Sequence, residues 1–279
     1  MSPGDGRPVV SFGEPEGYDG AGRGRPLAGR VRPRTAVIAL CLVLGLGLIS
    51  GAVTGSWLTG ETTAPKDAGT YAAAGALWHS VPVDELFPAT VRGRGAGPGG
   101  ADRTWTRIGV APDSGCADAF DPLLRATLAP AGCRRLLRAT YTDATQSFVT
   151  TVGLLFTKAD AATMGALARR FKDEGLADRT DLMPRPYAAK GTAAAGFGDR
   201  QRASWTVSVL TDAPVVVYAV SGWADGRTVD TPQSAEQAIQ SGTTTAPSQA
   251  GLGNEAQGLA DRVGRSLRET VESPTEKPS

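Results

Sequence analysis

The chain has 279 residues, a length that allows one or two domains. Its 29 Lys and Arg against 28 Asp and Glu leave a net charge of +1, which excludes the strongly basic surface of a typical nucleic-acid binder. One histidine and three cysteines exclude a multi-histidine or four-cysteine metal site within the chain, while 36 Gly and 19 Pro point to extensive turns and linkers.

Residues 1–34 are rich in Gly, Pro and Arg and lack apolar periodicity, so they predict a disordered tail. From Thr35 to Gly60 the chain carries no acid or base over 26 residues. About 20 helical residues cross a hydrocarbon core, so a transmembrane helix is expected over 35–58. Arg23, Arg25, Arg30, Arg32 and Arg34 lie on its N-terminal side, whereas Glu61, Lys66 and Asp67 follow it. The positive-inside rule then places the N-terminus in the cytoplasm and everything beyond about residue 60 outside, as a single-pass protein of the cell membrane. The rival reading is a cleaved signal peptide, whose apolar region is ordinarily shorter. Gly47, Gly51 and Gly55 recur every four residues and would share one helix face. That face fits a homodimer through close helix approach, although glycine is also common in membrane helices generally.

Residues 59–75 read as a linker, and GRGAGPGGADR at 93–103 as a second flexible stretch. Strands are expected at Thr104–Ala111, with Ile108 and Val110 on one face, at Leu136–Thr142 and at Ser147–Thr157. In the last of these, Phe148, Thr150, Val152, Leu154 and Phe156 share a face. The Asp143–Gln146 stretch suits a hairpin. A short helix is expected at Pro122–Leu128, started by Asp121–Pro122 and ended by Pro130. A second helix starts at Asp160, carries Met164, Leu167 and Phe171 at helical spacing, and stops at Gly175. Ser204–Thr211 and Val215–Gly222 read as two further strands around Asp212–Ala213–Pro214. Residues 225–253 look like a low-complexity linker. Residues 254–272 form an amphipathic helix with Leu259, Val263 and Leu267 four apart, and 273–279 a fraying tail.

These elements predict an α+β domain over 76–224, with an antiparallel or mixed sheet and two to three helices. The order of its first six elements matches a ferredoxin-like split βαβ unit. Cys116 and Cys133 are the two cysteines beyond the apolar run, and an oxidising location admits one pairing between them. A short helix from Pro122 lets the chain run back far enough for a bridge, which would add about 3 kcal/mol by loop closure. The rival is a pair of free thiols, or bridges between two copies.

Catalytic signatures are thin. G-x-S-x-G, H-E-x-x-H, the Walker loop and G-x-G-x-x-G after a strand are all missing, and no cofactor is expected. His79 sits in LWHSVPVDELFP, where Leu77, Trp78, Leu86 and Phe87 read as docking residues. Asp173, Glu174, Asp178 and Asp181 alternate with basic residues and lack the spacing of a calcium loop. Beyond residue 60 the chain has 23 basic and 24 acidic residues, so nucleic acid is not an expected partner.

The connection Thr180–Ala203 is the best site candidate, because long segments without regular structure are usually functional or mobile. It mixes Arg185, Tyr187, Lys190, Phe197, Asp199, Arg200 and Arg202, a set able to recognise a partner chain or an anionic surface group. An ordinary covering loop is the equal alternative.

VGLLFTKADAATMGALARRF from Val152, with GFGDRQRASWTVSVLTDAPVVVYAVSGWADGR, resembles uncharacterised single-pass membrane proteins of high-GC actinobacteria. The 24 Arg against 5 Lys suit that origin. The resemblance covers mainly 77–224, implies a membrane anchor with an external domain, and carries over no catalytic residues. The expected function is a membrane-anchored, non-enzymatic binding or accessory module of the cell envelope, with the lipid bilayer and an envelope protein as partners. The alternatives are an extracytoplasmic enzyme with an unrecognised site and a sensor signalling through transmembrane dimerisation.

Overall fold

The computed structural model describes residues 64–112, 115–116 and 118–272. The expected tails at 1–34 and 273–279, the span at 35–58 and the face formed by Gly47, Gly51 and Gly55 lie outside the described residues. Among the described residues no helix is long and apolar enough to cross a membrane.

Val215–Val220 reads VVVYAV, and every one of these side chains is buried. A strand apolar on both sides must be covered on both sides, and the chain is arranged around that demand. The strands are β1 (Thr90–Gly93), β2 (Arg103–Val110), β3 (Cys133–Asp143), β4 (Phe148–Thr157), β5 (Ser204–Val209), β6 (Val215–Trp223) and β7 (Gln233–Ser234). They form one mixed sheet in the order β1-β2-β3-β4-β6-β5-β7, antiparallel throughout except between β5 and β7. The helices among the described residues are α1 (Ala64–Ala74), α2 (Leu77–Ser80), α3 (Val83–Leu86), α4 (Pro122–Leu128), α5 (Ala161–Asp173), α6 (Ala235–Ala238), α7 (Ala246–Gln249) and α8 (Leu252–Glu272). The fold is α+β, with more helices than expected: four are single turns, and α1 occupies a stretch expected as a linker.

On the first face, Trp105, Tyr141, Val152, Leu154, Phe156 and Val217 meet Leu259, Val263 and Leu267 of α8, all at most 1% exposed. Each such side chain contributes about 1.5–3 kcal/mol of burial. On the second face, Leu136, Leu155, Trp205, Val216 and Val220 meet Leu124 and Leu128 of α4 and Met164, Leu167 and Phe171 of α5. Asp160 caps α5 by accepting the Thr163 amide at 2.8 Å, and Gly175 leaves the helix in the left-handed conformation at φ 60°.

The ferredoxin-like expectation matches element order and not pairing. β2 and β3 are adjacent and antiparallel, so α4 does not cross between parallel strands. The split unit lies one step later: β4 and β5 both run antiparallel to β6, which separates them. A bulge after Arg107 also sends Ile108 to the second face and Val110 to the first, where alternation had put them together.

Three stretches expected as linkers are packed. Residues 64–74 form α1, with Ala74 fully buried and the Tyr71 hydroxyl donating to the Ala159 carbonyl at 3.3 Å. In 93–103, the Gly95 amide donates to Asp102 Oδ1 at 2.8 Å, and Gly93 lies against the Trp105 ring. Residues 225–253 contain β7, α6 and α7, anchored by Ala235, Ala238 and Leu252. Ser234 and Thr245 cap the two short helices, accepting the Gln237 and Ser248 amides.

Register lines up Arg138, Gly153 and Tyr218 across β3, β4 and β6. The Tyr218 ring lies over Gly153, where a Cβ would fall 2.3 Å from Cζ. At the first face, the fully buried Glu255 accepts a hydrogen bond from Trp105 Nε1 at 2.6 Å and pairs with Arg103 Nε at 3.0 Å. Burial pushes its carboxyl above the ordinary value, outweighing the Trp105 bond and the Arg103 charge, with the Asp143 charge adding to the rise. Burial also pushes Asp143 upward, but hydrogen bonds from Thr145, Phe148 and Ser147 together hold it below the usual range.

Gly153→Ala is expected to destabilise the chain by about 1–3 kcal/mol through overpacking against Tyr218, read from chemical denaturation. The folded state binds the Glu255 proton more tightly than the unfolded chain does. That contribution is therefore fully present below about pH 4.3 and is lost as pH rises through the raised value. Glu255→Gln should flatten the fall in denaturation midpoint over that rise; an unchanged pH profile would contradict the assignment.

Candidate functional site

The Thr180–Ala203 connection is laid across the second face instead of projecting from it. Leu182, Met183, Ala189, Ala194 and Phe197 are buried there. Two glycines let it approach the sheet. A Cβ on Gly109 of β2 would fall 2.6 Å from the Ala189 Cβ, and one on Gly222 of β6 would fall 2.4 Å from the Gln201 carbonyl oxygen.

Its polar groups close on the domain. Asp121 Oδ2 accepts from the Arg202 guanidinium at 2.7 Å, and Oδ1 from Arg185 Nε at 3.2 Å. Arg185 also lies 3.6 Å from Asp199 Oδ2, and Arg202 Nε donates to the Asp199 carbonyl. The backbone is tied at the same place: Asp121 donates to the Met183 carbonyl and Arg185 to that of Ala119. Asp121 occupies the cap position of α4 without a side-chain bond to the helix amides, because its carboxylate faces the two arginines. Further along, the Tyr187 amide donates to Thr151 Oγ1 and its carbonyl accepts from Thr140 Oγ1, while the Arg138 guanidinium lies over its ring at 5.8 Å.

Of the seven candidate residues, Phe197 and Arg202 are buried, and Arg185 and Tyr187 are half-buried in these contacts. Asp199 is exposed beside Arg185. Lys190 and Arg200 are exposed and, among the described residues, have no ion-pair partner. Arg200 instead offers its backbone carbonyl to the Val229 amide at 2.9 Å. The segment is thus a clamped cover with two outward cations. His79 is exposed on α2 with its ring edge-on to Trp78 at 4.7 Å, beside the buried Leu77, Leu86 and Phe87. Among the described residues, no three His, Cys, Asp or Glu side chains are grouped to hold a metal ion.

Two concavities were not foreseen from the sequence. One, of about 300 Å³, is lined by Cys116, Phe120, Leu128, Cys133 and Leu155, with Arg125 at its side. The Cys116 and Cys133 sulfurs there lie at disulfide distance, with Cα atoms 6.3 Å apart. The other, of about 380 Å³, opens between α5 and β5 and is lined by Phe171, Lys172, Asp178, Val207, Val209 and Glu236. Neither could be read from spacing, since their walls come from segments brought together only by the sheet.

Asp121→Ala strands the nearly buried Arg202 and should cost about 3 kcal/mol, the low end for breaking a buried pair. It should also open 185–202 to limited proteolysis under conditions where the parent chain is intact; equal resistance would show that the apolar contacts alone hold the segment. Comparison with protein-family models, with curated proteins and with solved structures finds no match to this chain.

Proposed function

We propose that the chain is a single-pass membrane protein whose extracytoplasmic α+β domain is a non-enzymatic binding or accessory module of the cell envelope. The observation that carries this reading is the uncharged run Thr35–Gly60 with five arginines close on its N-terminal side. The cysteine pair at disulfide distance agrees with an oxidising compartment. The binding role is supported by how the polar groups are engaged. Asp121 bridges two arginines, Glu255 meets Trp105 and Arg103, Asp143 holds a hairpin, and Asp160 caps a helix. These carboxylates stabilise the domain, leaving surface clefts as its means of interaction. Gly47, Gly51 and Gly55 fit self-association through the membrane helix in this reading.

Cysteine labelling tests the topology. With a membrane-impermeant maleimide on intact cells, Asp173→Cys is expected to label and Gly20→Cys to label only after lysis, each against the parent chain. Labelling of Gly20→Cys from outside would overturn the orientation.

A further inference from the structure

β5 is only partly covered on its outer side. The two-residue β7 pairs in parallel with Ser204 and Trp205, and the Gln233 amide donates to the Ala203 carbonyl. The chain then turns away into α6. On the inner side the Leu210 amide donates to the Val215 carbonyl, so the even-numbered residues of β5 pair with β6. By alternation the N–H and C=O groups of Val207 and Val209 point outward, and among the described residues nothing pairs with them there. Unpaired backbone groups at strand spacing are a template for another strand.

The two sides of this edge differ. Val207, buried at 8% exposure, and the half-buried Val209 border the cleft of about 380 Å³ on the second face, together with Phe171 and Ala168. Thr206, Ser208 and Leu210 border a smaller groove of about 80 Å³ on the first face, walled by Ala260, Asp261 and Arg265 of α8. Lys172, Asp178 and Glu236 line the first of these clefts, and Asp178 accepts from the Ser234 hydroxyl. Arg265 is exposed at the other and, among the described residues, has no ion-pair partner; Asp261, which accepts from Gln257, and Arg268, paired with Asp212, share that groove, whose lining keeps one excess positive charge.

We propose that the open edge of β5 binds an extended peptide segment of a partner protein, added as a strand in line with β7. Side chains of an added strand alternate between faces. The occupant therefore carries apolar residues toward Val207 and Val209 and an acidic residue opposite Arg265. A second copy of β5 would present Thr206 and Ser208 on that side and supplies no acid. The tail SPTEKPS at 273–279 carries two prolines, which cannot donate to a ladder. This inference rests on the accessory-module reading and names its surface.

The test uses the full chain in detergent micelles with a capped eight-residue peptide alternating valine and aspartate. Binding is read by fluorescence anisotropy, and hydrogen exchange reads the Val207 and Val209 amides. Expected are slowed exchange at both amides, at least tenfold weaker binding to Arg265→Glu, and loss of binding on N-methylation of alternate peptide amides. Val209→Pro removes one outward donor and should weaken binding at least tenfold; Arg265→Glu lies on the surface and keeps the test open if the proline variant misfolds. Equal binding of a valine–lysine peptide, or protection confined to another surface, overturns the proposal. A self-associated chain with both amides already protected would assign the edge to a second copy and overturn it too. An envelope partner captured equally by the Arg265→Glu chain would sink the edge while leaving the accessory role. Peptide binding at the edge with no envelope partner captured by the full chain would sink the role instead.

Discussion

The constraint on which this domain depends is that β4 and β6 are apolar on both sides. A sheet with one wet face needs a single cover; here Val152, Leu154 and Phe156 point one way, and Leu155, Val216 and Val220 the other. Leaving either set in water forfeits on the order of 1.5–3 kcal/mol for each large side chain. The rest of the chain is therefore committed to making two covers from segments distant in sequence.

The covers are built differently. α8 closes the first face with a regular stripe, and small residues let it come close: Gly258 lies against the Trp105 ring and Gly253 against Ala238. The second face is closed by α4, α5 and an irregular segment without strand or α-helix. Irregular backbone cannot satisfy its own amides, so it is tied down from outside, by Thr140, Thr151 and the Asp121 pair with Arg185 and Arg202. That explains why a 24-residue connection is ordered, and why Arg185 and Arg202 are turned inward while Lys190 and Arg200 face out.

What the sequence disclosed follows the same physics. Elements with a strong period were legible: α4 begins at Pro122 and ends at Leu128 as expected, and Met164, Leu167 and Phe171 line the buried face of α5. Residues 225–253 were opaque because their contacts are made by alanine and by serine and threonine caps, whose composition is that of a linker. The caps themselves were present as signals, in Ser234 three residues before Gln237 and in Thr245 ahead of Pro247. The convergence of Asp121 on Arg185 and Arg202, 64 and 81 residues away, has no local signature at all. Pairing was hidden too, since the order of strands along the chain does not say which become neighbours. The bulge after Arg107 likewise defeated an alternation argument that the residue types supported.

The position of α8 along the chain has a consequence in time. It follows the seven strands of the described residues, so a chain emerging N-terminus first completes the sheet's sequence before the cover for Trp105, Tyr141 and Val217 exists. Until Leu252–Glu272 is available, one whole side of the sheet is an adhesive surface. Folding of the first face is thus deferred until α8 has been made, and a ribosome that releases the chain before then would release it with that side open.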